Sequence, residues 1–167
     1  MAAVESHPAV SAVVPAPGVA AAIQPLPRRV AVALDMGPAD APVIEHLLAM
    51  PRAANTEIVL VHVAESAASR YLGLESSDAE VRVDAAMLES LAARFRAQGI
   101  PASVELGYGD VIKELARIVN EMNADLLVTG SHGHRLIGDI VLGATTSGVR
   151  HRVKCAMLTV PPKPKGN

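Results

Sequence analysis

The chain has 167 residues, fifteen Lys or Arg against seventeen Asp or Glu, a net charge of −2 and 2% aromatic residues. That is enough for one domain with a sizeable core. A near-neutral balance, with Tyr71, Phe95 and Tyr108 as the only aromatics, argues against nucleic-acid binding through stacking or a basic surface. The single cysteine, Cys155, excludes an internal disulfide and suits a reducing compartment, so a cytoplasmic location is expected.

Met1 to Pro27 differs from everything after it. Ala, Val and Pro dominate, Glu5 is the one charged side chain, and five prolines interrupt any helix or ladder. No basic region precedes the apolar part, so a secretory signal is not indicated, and the stretch is too broken to span a bilayer. Residues 1–27 read as a flexible or polyproline-like extension. The organised domain is expected over 28–160, with 161–167 a solvated tail.

Val30 to Leu34 is an unbroken apolar run, the pattern of a central parallel strand. Asp35 ends it, and Met36-Gly37-Pro38 turns the chain into a helix of about Ala39 to Met50, with Ile44, Leu47 and Leu48 as its apolar stripe. Glu57 to Val63 is a second buried strand. Ala64 to Ser77 reads as a mobile excursion, followed by a helix of about Asp78 to Gln98 that Gly99 and Pro101 stop. Ala102 to Leu106, more polar, is a candidate edge strand. Asp110 is placed to cap a helix of about Val111 to Met122. Asp125 to Thr129 is a fourth strand, a helix of about Thr145 to Val153 follows, and Ala156 to Val160 is a fifth strand. Cys155, in that last apolar run, reads as a buried structural thiol rather than a nucleophile. The alternation predicts an α/β domain with one doubly wound, Rossmann-like parallel sheet covered by helices on both faces.

Between strand four and the last helix lies the densest cluster of functional signals: Thr129, then Gly130-Ser131-His132-Gly133, nine residues, then Gly143-Ala144-Thr145-Thr146. A strand, a glycine-rich loop and a helix start can bind an anion, because glycine lets backbone come close and the first helical N–H groups have no intrahelical partner. Read from spacing alone, the glycines serve equally well merely to make the turn. No Lys follows them, so this is not a P-loop, and the dinucleotide spacing Gly-x-Gly-x-x-Gly is missed. In doubly wound sheets ligands sit beyond the carboxyl ends of the strands where the winding reverses. If strands one and four are neighbours, Asp35 and the Gly130 loop flank one crevice.

Taken together, Val32-Ala33-Leu34-Asp35, Val61-His62-Val63 and Gly130-x-x-Gly133-(nine)-Gly143 resemble the universal stress protein family, over about Arg28 to Val160. The resemblance implies a sheet ordered 3-2-1-4-5 and, in the nucleotide-binding branch, ATP in the crevice, with AMP as the alternative and Mg²⁺ as a companion ion. It implies that Asp35 bonds the ribose and that backbone at Val63 with side chains near Ala33 holds adenine. Thr129 leads into the phosphate loop, and Gly130, Gly133, Gly143 and the amides of Ala144 and Thr145 wrap the phosphates. It also implies a stress-response regulatory module and a homodimer joined through strand five. Two positions depart from the pattern. Ala144 stands where that branch usually has Ser or Thr, which removes a hydroxyl but leaves the N–H, with Thr145 as a substitute. Ala33 stands where proline is frequent.

His132 and His134 are two apart with no Cys or carboxylate cluster beside them, which favours a loop role over a metal pair. His151, with Arg150, Arg152 and Lys154, reads as a cationic end of the last helix. Asp110, Lys113 and Glu114 form a capped, exposed helix start. No nucleophile, base and orienting group can be assembled, so the chain reads as a binding module rather than an enzyme, with at most slow ATP hydrolysis. The second reading is a nucleotide-independent dimerisation or interaction domain, including the cytoplasmic regulatory domain of a membrane transporter. Residues 1–27 would suit a linker from such a neighbour and equally a natural terminus.

Overall fold

The structure, a computed structural model, describes residues 26–64, 74–131 and 144–162. Expectations for Met1 to Pro25, the middle of the excursion after Ala64, the loop from His132 to Gly143 and the last five residues lie outside the described residues. Five strands, β1 (Arg29–Ala33), β2 (Glu57–Ala64), β3 (Ala102–Tyr108), β4 (Leu126–Gly130) and β5 (Ala156–Val160), alternate with α1 (Asp40–Ala49), α2 (Leu74–Arg96), α3 (Val111–Glu121) and α4 (Ala144–Val149). They form one sheet in the order β3-β2-β1-β4-β5, every neighbouring pair parallel, as expected.

The order follows from composition. Val30, Ala31 and Val32 of β1 are fully buried, as a central strand covered on both faces must be. β3 carries the exposed Glu105 and lies at one edge. Alternate side chains feed two cores. Val30, Val32, Ile58 and Leu60 meet α1 through Val43, Ile44 and Leu47, and α2 through Leu88, Ala92 and Phe95. Ala31, Val59, Val61 and Val63 meet α3 through Leu115, Ile118 and Val119, and α4 through Val149. Phe95, fully buried, is the largest side chain of the first core, and its removal to Ala would cost about 3–5 kcal/mol.

Helix boundaries show where local signals compete. α2 starts at Leu74 rather than at about Asp78, because no helix breaker stands between them and Gly73 is the nearest. It stops as expected at Gly99, whose φ of 72° suits glycine. The Asp110 carboxylate caps α3 by accepting the Lys113 N–H at 3.0 Å. That helix ends in a Schellman motif: Asn123 has φ 53°, its N–H meets the Asn120 carbonyl at 3.2 Å, and the Ala124 N–H meets Val119 at 3.2 Å. α4 ends at Val149 instead of Val153. β-branched Thr145, Thr146 and Val149 and the interior Gly148 all weaken a helix, and the chain continues as a turn. Asn120 then pins that turn, donating to the Arg152 carbonyl at 2.9 Å and accepting the Lys154 N–H at 3.0 Å. His151 therefore lies in the turn after α4 and not on the helix.

Candidate functional site

Register brings the candidate residues to one end of the sheet. Ala33 is level with Val61 on β2 and with Thr129 on β4. Two residues further along each strand direction come Asp35, Val63 and Ser131. The two central strands, β1 and β4, are connected to helices on opposite faces, so this end is the switch point of the winding. Ala33, Asp35, Val63, Thr129 and Gly130 are thus gathered, and Ala144 and Thr145 open the helix that returns from the loop. Gly133 and Gly143 lie outside the described residues.

β1 extends one bond past its last strand residue, where the Leu34 N–H meets the Val61 carbonyl at 2.9 Å. The next residues form a tight turn with Met36 at φ 62°, a left-handed conformation unusual for a non-glycine side chain. Asp40, in the first turn of α1, holds that turn: its carboxylate accepts the Asp35 N–H and the Gly37 N–H, each at 3.2 Å. Burial, followed by the neighbouring Asp35 carboxyl, pushes the Asp40 carboxyl up to about 6. Leu34 is fixed from a second side as well. The His62 ring meets its carbonyl at 2.9 Å, and because a carbonyl only accepts, Nδ1 carries the hydrogen. The other ring nitrogen faces the Asp84 carboxylate of α2 at 3.7 Å.

On the β4 side, the Thr146 hydroxyl lies 3.4 Å from that of Thr129 and 3.3 Å from the Gly130 carbonyl. Thr129, Ser131 and Thr146 are all buried polar residues. The Ser131 N–H meets the Val160 carbonyl at 2.9 Å, extending the ladder to β5 one residue beyond β4. The Thr146 hydroxyl therefore ties the start of α4 to the end of β4. The sequence pattern singled out neither Asp40 nor a role for Thr146, which it placed only as the last residue of the glycine cluster. Asp40 carries a signal in retrospect, a carboxylate at a helix start just after Met-Gly-Pro. Thr146 carries none until the pairing of its partner strand is known.

Other features are structural. Among the described residues no group of three His, Cys, Asp or Glu side chains is placed to hold a metal ion, and no helix is long and apolar enough to cross a membrane. His132 and His134 lie outside the described residues. Cys155 is half-buried rather than fully enclosed, and burial raises its thiol above the ordinary value. Glu114 pairs with Arg117 at 2.7 Å on the exposed face of α3, which removes it from acid–base work. A cleft of about 490 Å³ opens at the opposite, N-terminal end of the sheet, lined by residues such as Thr56, Gln98 and Arg52. Arg52 there donates to the carbonyls of Leu47, Leu48 and Met50 at the end of α1, the work of a C-terminal cap.

The fold defines a class: doubly wound α/β domains, a class whose ligand sites lie at the switch between the two central strands. A model of the universal stress protein family matches residues 27–161. The chain belongs to that family. Universal stress protein A homolog 1 of Coxiella burnetii is 24% identical over 138 residues, which are 80% of this chain and 95% of that protein. A universal stress protein solved in complex with cAMP superposes with a TM-score of 0.59 at 22% identity, over 83% of this chain and 99% of that one. A universal stress protein family protein of Arabidopsis thaliana with AMP bound gives 0.57 at 20% identity, over 82% of this chain and 93% of that one.

Proposed function

We propose that the chain is an adenine-nucleotide-binding regulatory module of the stress response, working in the cytoplasm and taking ATP or AMP in the crevice between β1 and β4. The observation that carries this reading is the register of those two strands, Ala33 level with Thr129, which supports Asp35 and the loop after Gly130 lying at one end of the sheet. A carboxylate there accepts from ribose hydroxyls. Ala33 is small enough, and the backbone at Val63 near enough in register, to receive the edge of adenine. Gly130, Gly133 and Gly143 with the amides of Ala144 and Thr145 wrap the phosphates, Mg²⁺ accompanying a triphosphate. Thr129 acts through its tie to Thr146 rather than by touching ligand. The related proteins solved with cAMP and with AMP support an adenine nucleotide as the ligand class. The activity in this reading is binding, with at most slow hydrolysis of ATP.

The edge strand β5 supports assembly as a second component of this reading. Ala156 to Val160 carries no charge and pairs with β4 alone among the described strands. An uncharged edge of this kind is commonly paired, here with a second copy about a two-fold axis.

Calorimetric titration with ATP, ADP, AMP and cyclic AMP, with and without Mg²⁺, tests the ligand. Saturable binding of at least one adenine nucleotide is expected. No heat and no competition at millimolar nucleotide would leave the dimerising, nucleotide-independent domain as the better reading.

A further inference from the structure

The ladder between β1 and β2 stops one bond short of where its register would carry it. On β2 the odd-numbered residues turn their N–H and C=O groups towards β1. The Glu57 N–H meets the Arg28 carbonyl at 2.7 Å, and the Leu34 N–H meets the Val61 carbonyl at 2.9 Å. The even-numbered ones face β3, as Ile58 does in donating to the Pro101 carbonyl and Ala64 in accepting the Gly109 N–H. Each β2 N–H on the β1 side thus takes the carbonyl of the residue before its register partner. One step further along, the Val63 N–H would take the Leu34 carbonyl. That carbonyl is met by the His62 ring instead, at 2.9 Å.

Among the described residues, neither the N–H nor the C=O of Val63 has a hydrogen-bonding partner, although Val63 is buried. Buried backbone N–H groups are almost always paired. This one faces the β1 side at the carboxyl end of the sheet, where Asp35 is next in register. The ring that displaces it is firmly seated. His62 is 12% exposed, and its other nitrogen faces the Asp84 carboxylate of α2 at 3.7 Å.

We propose that His62 is a positioning residue for base recognition: by holding the Leu34 carbonyl, its ring keeps the Val63 N–H out of the ladder and open to an acceptor on the base. This rests on the nucleotide reading above and names the side chain that makes the Val63 backbone receptive. Val63 then presents a donor and an acceptor on one side of the strand. Their complement is a ring nitrogen beside an exocyclic amino group, which adenine carries. A sugar phosphate without a base is indifferent to the ring.

Two substitutions separate the ring's bond from its bulk. His62→Asn keeps an amide donor where Nδ1 stands, and His62→Leu fills similar space with no donor. Backbone NMR titrations with AMP, ATP and ribose 5-phosphate read the base apart from the rest of the ligand. His62→Leu should weaken AMP and ATP about tenfold, the scale of one hydrogen bond, and His62→Asn should stay within about threefold of wild type. Ribose 5-phosphate should bind all three proteins alike. Equal weakening of all three ligands would make the ring a general support of the site. Unchanged nucleotide affinity in His62→Leu, or a loss in His62→Asn as large as in His62→Leu, would show that its bond to Leu34 is not what matters. Each of these overturns the proposal and leaves the nucleotide reading standing, whereas a wild type that binds neither AMP nor ATP overturns both. The free protein gives a check without ligand. Scalar coupling across a hydrogen bond, from the Val63 nitrogen to the Leu34 carbonyl carbon, should be absent in wild type and present in His62→Leu. Its presence in wild type overturns the proposal, and that measurement stands even if His62→Leu does not fold.

Discussion

The Thr146 hydroxyl, in the first turn of α4, sits 3.4 Å from the Thr129 hydroxyl and 3.3 Å from the Gly130 carbonyl at the end of β4. The end of β4 and the first turn of α4 are therefore held together by one buried side chain. Thr146→Val keeps the volume and removes the donor. It should lower stability by about 1 kcal/mol, the usual size of one such bond. It should also weaken AMP more than adenosine, because the phosphate end of the site loses its anchor. Equal loss for both ligands in parallel titrations would show the tie to be unrelated to phosphate.

Asp125 fixes the opposite end of the same two strands. Its carboxylate accepts the Arg28 and Arg29 N–H groups at 2.9 Å each, and those bonds, Arg29 first, hold its carboxyl below the ordinary value of 3.8. A carboxyl depressed by folding stabilises above the unfolded value and loses that contribution as pH falls through the folded one. Asp125→Ala should cost about 1 kcal/mol at pH 7, near the lower end for charged hydrogen bonds because the site is exposed. The gap from wild type should close below about pH 4. Urea unfolding at pH 7, 5 and 3 measures it, and a gap independent of pH would contradict the assignment.

Gly148 lets α4 approach α3. A Cβ there would lie 2.5 Å from Ile112 Cδ1 and 3.2 Å from its Cγ2. In an ordinary helix interior Gly→Ala stabilises by about 1 kcal/mol. Here overpacking of about 1–3 kcal/mol should win, leaving Gly148→Ala less stable than wild type by about 1 kcal/mol. In an Ile112→Ala background the same change should become stabilising. Thermal unfolding of the four proteins reads the cycle, and the same sign in both backgrounds would sink the packing argument.

For assembly, light scattering at high micromolar concentration should give a dimer. Thr159→Lys, a charge added on β5, should shift it towards monomer without unfolding it. A wild-type monomer at that concentration would remove β5 pairing from the account.

The sheet was legible because its strands are short apolar runs with clear stops: Asp35 after β1, Gly130 closing β4. Glycine at 99 and Asp110 marked helix ends through local chemistry alone. The extra turn at Leu74 and the early end of α4 were not legible, since both depend on weak propensities that tertiary contacts decide. Asn120 clamps the Arg152 to Lys154 turn from 32 residues away along the chain, a contact no local pattern announces. The site divides in the same way. Asp35 and Gly130 could be paired once the winding was inferred. Asp40, Thr146 and the His62 ring on Leu34 became visible only with side chains in place. They shape or tie backbone, work that many residue types could do.

The most direct test of the central claim is an amide chemical-shift map on adding AMP. The account predicts that shifts concentrate at the carboxyl end of the sheet, in residues 33–37, at Val63 and Ala64, at Thr129 to Ser131 and at Ala144 to Thr146. Asp35→Ala should remove saturable change there while leaving the spectrum folded. Shifts confined to the cleft at the other end, around Thr56 and Gln98 to Pro101, or an undiminished response in Asp35→Ala, would contradict it.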